Sequence, residues 1–216
     1  MGLAIMIVGL AVFLLPHVFT TRRDTRSAVI ALIGEGPYKG LYSLVAIIGV
    51  ILIGWGFARY RANEWIDVWY PPAWTRHVTV ALTWPAIIFI VAAYIPGNIK
   101  RRLKHPMLVG VKLWAVAHLI SNGDLGSIIL FGTILAWAVF DRITLKRRPD
   151  ADTAPIPASG WRNTPKRPPD ASAPPISTSS WRNDVIAIIV GTLLYLALGF
   201  VFHPLVIGRP VFGAPA

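Results

Sequence analysis

Residues 41–58 read LYSLVAIIGVILIGWGFA, eighteen residues without a single charged side chain. A helix rises about 1.5 Å per residue, so this stretch is long enough to cross most of a hydrocarbon core of roughly 30 Å. Five further stretches share its character, and Gly or Pro inside them is tolerated because neighbouring helices satisfy the freed backbone groups. The predicted spans are residues 2–20, 41–58, 78–95, 106–120, 125–140 and 184–201, the last with an extension to 207. We therefore expect an all-α, polytopic membrane helix bundle of about six transmembrane helices.

The composition excludes a soluble domain. Hydrophobic residues make up 55% of the 216-residue chain and charged residues only 14%, with a mean hydropathy of +0.58. A soluble domain carries about 25% charged residues, because its surface faces water. The chain has no cysteine, which excludes disulfides, thiolate metal sites and cysteine catalysis. No phosphate-binding loop or Ser–His–Asp arrangement is present either, so the sequence assigns no catalytic residue.

The distribution of basic residues predicts the orientation. The net charge is +11, and sixteen of the Lys and Arg side chains fall in the first, third and fifth loops, against four in the second loop and the C-terminal tail. Because cytoplasmic loops carry the excess of Lys and Arg, both termini are expected on the outer side. The positive charge therefore indicates membrane topology. We expect the lipid bilayer as the partner and no binding of nucleic acid. No basic residue precedes the first apolar stretch, which favours a retained span over a cleaved signal peptide.

The fifth loop contains an internal duplication. Residues 146–163 (KRRPDADTAPIPASGWRN) align without gaps to residues 166–183 (KRPPDASAPPISTSSWRN) at a spacing of 20. A segment so rich in Pro, Ser and Ala cannot build a core, so we expect a disordered cytoplasmic linker. The chain is thereby divided into membrane helices one to five (1–145), the linker (146–183), and the sixth helix with its tail (184–216).

Polar side chains inside the spans are the candidate functional residues, because the bilayer penalises them. His17 lies near the inner end of the first span, and His118 lies near the end of the fourth. Neutral imidazole suits haem iron, copper or zinc, and two imidazoles on opposite helices can hold a haem between them. The alternative is that each ring only binds a backbone carbonyl or lies among the headgroups. From the residues alone, both interpretations of the pair stay open.

Three further residues belong with these two. Lys112, in the fourth span, could pair with a haem propionate or another anion, or its stem could extend to the interface. His105 lies at the inner boundary, at the level expected for His17, and is the natural substitute if His118 is too distant. His203 lies near the outer boundary, where no ligand role is expected, although His203-Pro204 repeats the His105-Pro106 pattern with a Gly four residues on.

Several of these motifs together resemble the NnrU family. They are residues 34–43 (GEGPYKGLYS), 104–119 (KHPMLVGVKLWAVAHL), 122–124 (NGD) and 203–208 (HPLVIG). The resemblance implies a bacterial inner-membrane protein associated with denitrification, with nitrite and nitric oxide reductases as respiratory partners. The family also includes the plastid 15-cis-zeta-carotene isomerase, which binds haem b. Its two haem-ligand histidines match His17 and His118, so the resemblance implies haem b as cofactor and these two residues as its metal ligands.

Other functions are compatible with the same residues. The resemblance allows a haem-dependent isomerisation of an apolar small molecule. His105-Pro106 followed by Gly110 is similar to the Arg-His-Pro-x-x-x-Gly signature of S-adenosylmethionine-dependent membrane methyltransferases, with Lys104 in place of the Arg. A third hypothesis is a non-catalytic assembly or scaffold subunit.

Overall fold

The computed structural model describes residues 1–147 and 178–212. This part of the chain is helical and contains no strand, which confirms the all-α expectation. Most of the predicted linker, residues 148–177, lies outside the described residues. The α-helices are α1 (Gly2–Phe19), α2 (Arg23–Ile33), α3 (Glu35–Asn63), α4 (Thr75–Ala92), α5 (Asn98–Leu103), α6 (Pro106–Ser121), α7 (Leu125–Lys146) and α8 (Thr178–Ala197), and a π-helical segment, Leu198–Ile207, continues α8.

All six predicted spans coincide with apolar helices. Among the described residues, five helices are long and apolar enough to cross a membrane: Gly2–Phe19, Glu35–Asn63, Thr75–Ala92, Leu125–Lys146 and Trp181–Ile207. The sixth, Pro106–Ser121, has 16 residues and is about 24 Å long at 1.5 Å per residue. The chain is therefore a multi-pass membrane protein built as a helix bundle.

Helix ends differ from the predicted span ends. The first predicted loop contains α2, and α3 begins six residues before residue 41 and runs five beyond residue 58. Hydropathy locates the part of a helix that matches the hydrocarbon core, whereas backbone geometry decides where the helix stops. Gly34, with φ +88°, separates α2 from α3 in a conformation that other residues rarely adopt.

The six apolar helices alternate in direction, which gives the bundle two distinct ends. We call the end that carries residues 64–74 the loop-two end, and the opposite end, where α7 stops and α8 starts, the linker end. The start of α1 and the segment after the π helix both lie at the loop-two end, because Met1 contacts Glu64 and the Arg76 guanidinium donates to the carbonyl of Val211. Both described chain ends thus lie at the same end of the bundle.

Glycines let α1 and α3 pack with their backbones almost in contact. A Cβ on Gly9 would lie 2.6 Å from the Ile53 nitrogen, and one on Gly49 would lie 2.6 Å from the Phe13 nitrogen. A Cβ on Gly56 would likewise collide with the backbone of Met6. Small residues at such spacing are the usual means of close helix association in lipid, where no hydrophobic force acts between helices.

The remaining contacts arrange the six helices in one curved row. The packed pairs are α3 with α1, α1 with α7, α7 with α6, α6 with α4, and α4 with α8. Gly110 lets α6 approach α4, and Gly191 lets α8 approach α4 from its other side. Residues of α3 and of the π-helical segment that continues α8 line a common cavity, so the row partly encloses a space at its loop-two end.

Candidate functional site

His118 lies in the last turn of α6 and faces the enclosed space. Its Nδ1 is 2.8 Å from the carbonyl oxygen of Trp114, one turn earlier on the same helix. The ring stacks on Phe131 of α7 at a centroid distance of 4.6 Å and also contacts the Trp114 ring at 5.0 Å. If Nδ1 carries the proton that this bond requires, the lone pair of Nε2 is left free, which is the usual state of a metal-ligating histidine.

This partly enclosed space is a cavity of about 850 Å³, which we call the loop-two cavity. All six apolar helices contribute to its wall, α1 through Phe13 alone. Its deeper part is apolar and aromatic and includes Phe13, Val50, Ile53, Phe57, Ile87, Trp114, Leu130, Phe131, Ile134 and Leu198. Cavities of about 300–1,000 Å³ with apolar walls and a few polar groups are typical of cofactor and ligand sites.

The second loop and the α6–α7 turn are hydrogen-bonded to each other at the loop-two end of the cavity. The carbonyl of Gly123 accepts hydrogen bonds from the backbone N–H of Val68 at 2.8 Å and of Trp69 at 3.1 Å, and Leu125 N–H donates to the Ile66 carbonyl. Gly123 has no room for a side chain, because a Cβ would collide with the Trp69 carbonyl. Two sequence-distant turns are thereby held together as a cover over the helix ends.

Three arginines lie on the cavity wall at the loop-two end, the part that we call the mouth: Arg61, Arg76 and Arg209. The Arg61 guanidinium lies over the rings of Phe57 and Trp65, 5.7 and 5.4 Å from their centroids. Within the described residues none of the three arginines forms an ion pair with a carboxylate. The wall also includes the carboxylates of Asp67 and Asp124, so the mouth carries three guanidinium groups and two carboxylates above an apolar interior. The excess of positive charge suits an amphipathic molecule with a negatively charged end.

Arg76 also holds the segment after the π helix against the bundle. Its guanidinium donates to the carbonyls of Pro210 at 3.1 Å and Val211 at 2.8 Å. The Phe212 ring then packs between the rings of Tyr195 and Phe200, at 5.6 and 4.5 Å. This returning segment forms part of the cavity wall, together with His203 of the π-helical segment.

His17 lies closer to the linker end than His118 does. Its Nδ1 is 2.6 Å from the Phe13 carbonyl oxygen, so it repeats the local geometry of His118. Its ring contacts those of Phe13, Tyr42 and Trp137, the last two at 5.3 Å. Phe13 is on the wall of the loop-two cavity, whereas His17 is not. On α7, the neighbour of His118 is Phe131 and the neighbour of His17 is Trp137. These two residues are six positions apart, so the two histidines differ in level along α7 by about 9 Å.

The other two predicted cofactor contacts, Lys112 and His105, are not on the cavity wall. His105 precedes α6 at its N-terminus, thirteen residues or about 20 Å along the helix from His118. Lys112 lies half-way between them and is half-buried. A cofactor role for either residue stays a prediction.

Sequence reasoning missed the arginines of the mouth and His203. In the sequence, Arg61 and Arg209 carry only a topology signal, as basic residues of the second loop and the tail, and His203 lies near the outer boundary. The scarcity of Lys and Arg at the loop-two end could have identified the arginines. Only four basic residues fall in the second loop and the C-terminal tail, and three of them, Arg61, Arg76 and Arg209, line one cavity.

Fold and site together define a polytopic, all-α membrane protein with a ligand-sized cavity at one end of its bundle. Residues 5–211 match the family model described as NnrU protein, so the chain belongs to the NnrU family over nearly its whole length. It matches no curated protein and no solved structure.

Proposed function

We propose that this protein is a haem b-binding protein of the bacterial cytoplasmic membrane, and that the loop-two cavity is its haem site. The observation that carries the proposal is His118. It offers a free Nε2 to a cavity of cofactor size whose wall carries three arginines, none of them in an ion pair with a carboxylate among the described residues. Haem has the matching chemistry, since its porphyrin is apolar, its iron accepts imidazole and its propionates are anionic.

The donor set of the cavity fits haem better than it fits a bare metal ion. Among the described residues, no group of three or more His, Asp or Glu side chains could hold a metal ion. Porphyrin supplies four nitrogen ligands itself, so one or two histidines complete the coordination of its iron. His118 is the first of these ligands, and the resemblance implies His17 as the second.

Each residue of the site then has a definite task. The Trp114 carbonyl fixes the ring of His118 and raises its basicity as a ligand. Phe131 supports the other face of that ring. Arg61 and Arg209 would bind the propionates at the mouth, while the aromatic wall would exclude water from the porphyrin. Bound haem supplies redox or Lewis-acid chemistry, tuned by its axial ligands and by burial.

We place the loop-two end in the periplasm, because most basic residues are at the linker end. A haem at that level is suited to support the respiratory nitrogen-oxide enzymes with which the family is associated. The expected phenotype of His118→Ala in a denitrifying host is reduced nitrite or nitric oxide reductase activity with unchanged levels of the variant protein in the membrane. Unchanged reductase activity in that strain would count against the respiratory role.

Haem-dependent isomerisation of an apolar molecule is the second candidate. A further space of about 720 Å³ separates α3 from the π-helical segment and is lined by Phe57, Arg61, Phe202, Val206 and Ile207 among others. Such a side opening would admit a substrate directly from the lipid. Incubation of haem-loaded, reduced protein with 15-cis-zeta-carotene, followed by chromatography of the isomers, tests this role.

The haem proposal itself is tested by absorption spectra of detergent-purified protein, oxidised and reduced, after expression with haem supplied. We expect a Soret band that His118→Ala abolishes or shifts. His77→Ala is the matched control, because His77 is exposed at the loop-two end and is not on the cavity wall. Wild-type protein without Soret absorbance would refute the haem site.

A further inference from the structure

The helix α2 (Arg23–Ile33) connects two membrane-spanning helices and takes no part in the packed interior, since none of its residues is buried. Its neighbours in the chain, α1 and α3, end and begin at the linker end of the bundle, so α2 lies at that end. With 11 residues it is about 16 Å long, roughly half of what is needed to cross a hydrocarbon core. The two spans that flank α2 therefore hold it at the level of the membrane surface.

One face of α2 is apolar and is only partly covered by protein. Val29, Leu32 and Ile33 are spaced by three and four residues, so they lie on one side of the helix. Arg23 and Ser27, four residues apart, lie on the opposite side. Val29 is half-buried, but Leu32 is 84% exposed and Ile33 is 38% exposed. Within the described residues the Leu32 side chain thus stays uncovered, and the acyl region of the bilayer is the apolar phase next to it.

Basic residues are concentrated at the N-terminal end of α2. Arg22 precedes the helix, Arg23 and Arg26 lie in its first turn, and Asp24 is the one acidic residue of the helix. Across residues 1–147 and 178–212, none of these three arginines is in an ion pair with a carboxylate. The Arg26 guanidinium lies over the ring of Tyr38, 5.8 Å from its centroid, a contact that uses the face of the group rather than its N–H donors. Three guanidinium groups thus form a cationic surface beside the exposed apolar face.

The N-terminus of α2 adds to the attraction for an anion. Arg22, the N-cap residue, makes no side-chain hydrogen bond to the helix. The first N–H groups of a helix have no partner within it, and the helix dipole there favours negative charge and disfavours cations. Three arginines at this position are therefore stabilised when an anion such as a phosphate group lies among them.

We propose that α2 lies in the plane of the membrane at the linker end and binds anionic phospholipids. Leu32 and Ile33 enter the acyl region, while Arg22, Arg23 and Arg26 bind the headgroup phosphates. An amphipathic helix with basic residues on its polar side binds membranes in this way, and guanidinium groups bind phosphate in a bidentate manner. An acidic protein surface would also neutralise the arginines, but it would leave Leu32 in water. The proposed haem site has no part in this inference.

Nitroxide labels on single cysteines measure the depth of α2, because the chain has no cysteine of its own. The full-length variants Leu32→Cys and Ser27→Cys are reconstituted in vesicles of phosphatidylcholine and phosphatidylglycerol. Both residues are exposed in the protein, so a difference between their labels arises from the membrane. The label at position 32 should be accessible to oxygen and shielded from a water-soluble nickel chelate, and the label at position 27 should show the reverse. Equal access of the chelate to both labels would overturn the inference, since α2 would then project into water.

Native mass spectrometry of protein released from nanodiscs of the same two lipids tests the headgroup contact. The preference for phosphatidylglycerol over phosphatidylcholine should fall about fivefold for each arginine removed in a variant with Arg23→Gln and Arg26→Gln. The matched control carries Lys146→Gln and Arg147→Gln, which remove two exposed cations from the same end of the bundle, and it should keep the wild-type preference. An unchanged preference in the α2 variant, or an equal fall in the control, would overturn the assignment of the lipid site to α2.

Discussion

Glu64, at the end of α3, caps the N-terminus of α1 across 62 residues of sequence: its carboxylate accepts a hydrogen bond from the backbone N–H of Gly2 at 2.5 Å. The N–H of Leu3 donates to the same carboxylate at 3.2 Å, and the Met1 amino group contacts it as well. The first N–H groups of a helix have no partner within it. A residue of the neighbouring helix therefore satisfies them, and the close α1–α3 packing brings it there.

This cap predicts a pH dependence of stability. The Met1 amino group, followed by the N–H groups of Gly2 and Leu3, lowers the pKa of Glu64 from 4.5 to about 2. Because the folded pKa is depressed, the stabilisation is fully present above about pH 4.5 and is lost as the pH falls towards 2. Wild-type protein should melt at a higher temperature than Glu64→Gln at pH 7 in detergent, and the two melting temperatures should converge below pH 3. A difference that persists at low pH would show that the charge is not the cause.

The α1–α3 contact predicts opposite effects for two Gly→Ala substitutions on α3. At Gly56 the added methyl meets the backbone of Met6, and overpacking costs about 1–3 kcal/mol. At Gly54, two residues away on the same helix, nothing lies within 4 Å of the added carbon. Gly54→Ala should therefore be neutral or stabilising by about 0.5–1 kcal/mol, the usual gain from replacing a helical glycine. Unfolding of both variants in mixed detergent micelles, with wild type alongside, measures the difference; similar stabilities would contradict the packing.

The cationic mouth predicts which arginines hold an anionic ligand. A hydrogen bond to a charged group contributes about 1.5–3 kcal/mol, so Arg61→Gln or Arg209→Gln should weaken haem retention by about tenfold or more. Arg59→Gln is the matched control, because Arg59 is exposed on α3 and is not on the cavity wall. Transfer of haem to an apo-globin acceptor gives the rates, and equal rates for all three variants would rule out the arginines as propionate partners.

The absence of cysteine makes the sidedness of the bundle directly measurable. A cysteine at Ala73, exposed at the loop-two end, should react with a membrane-impermeant maleimide in cells whose outer membrane alone is permeabilised. A cysteine at Ser172, in the linker, should react only after the inner membrane is opened. We expect this labelling pattern because sixteen basic residues lie in the loops at the linker end and four at the loop-two end, and cytoplasmic loops carry the excess. Reversed labelling would place the cavity on the cytoplasmic side.

The sequence alone determined the helical class, the approximate spans and the family. Transfer of an apolar side chain into lipid is a local property, so residues 41–58 predict a membrane helix whatever surrounds them. The family motifs are likewise contiguous, as in residues 104–119. His118 could be selected for the same reason, because a histidine inside an apolar helix stands out without knowledge of its neighbours. Helix ends such as Asn63 could not be located from the sequence, because they depend on backbone geometry and capping rather than on hydropathy.

Only the tertiary structure decided which polar residues meet. His203 is 85 positions from His118, and Arg61 is 148 from Arg209, yet each pair lines one cavity. Their proximity follows from the order of helices in the row, α3, α1, α7, α6, α4 and α8, which is not the order in the chain. That order is set by which helix faces fit closely, through glycines such as Gly9, and by the π-helical turn that presents His203. These are shape relations between distant segments, and no local pattern of residues encodes them.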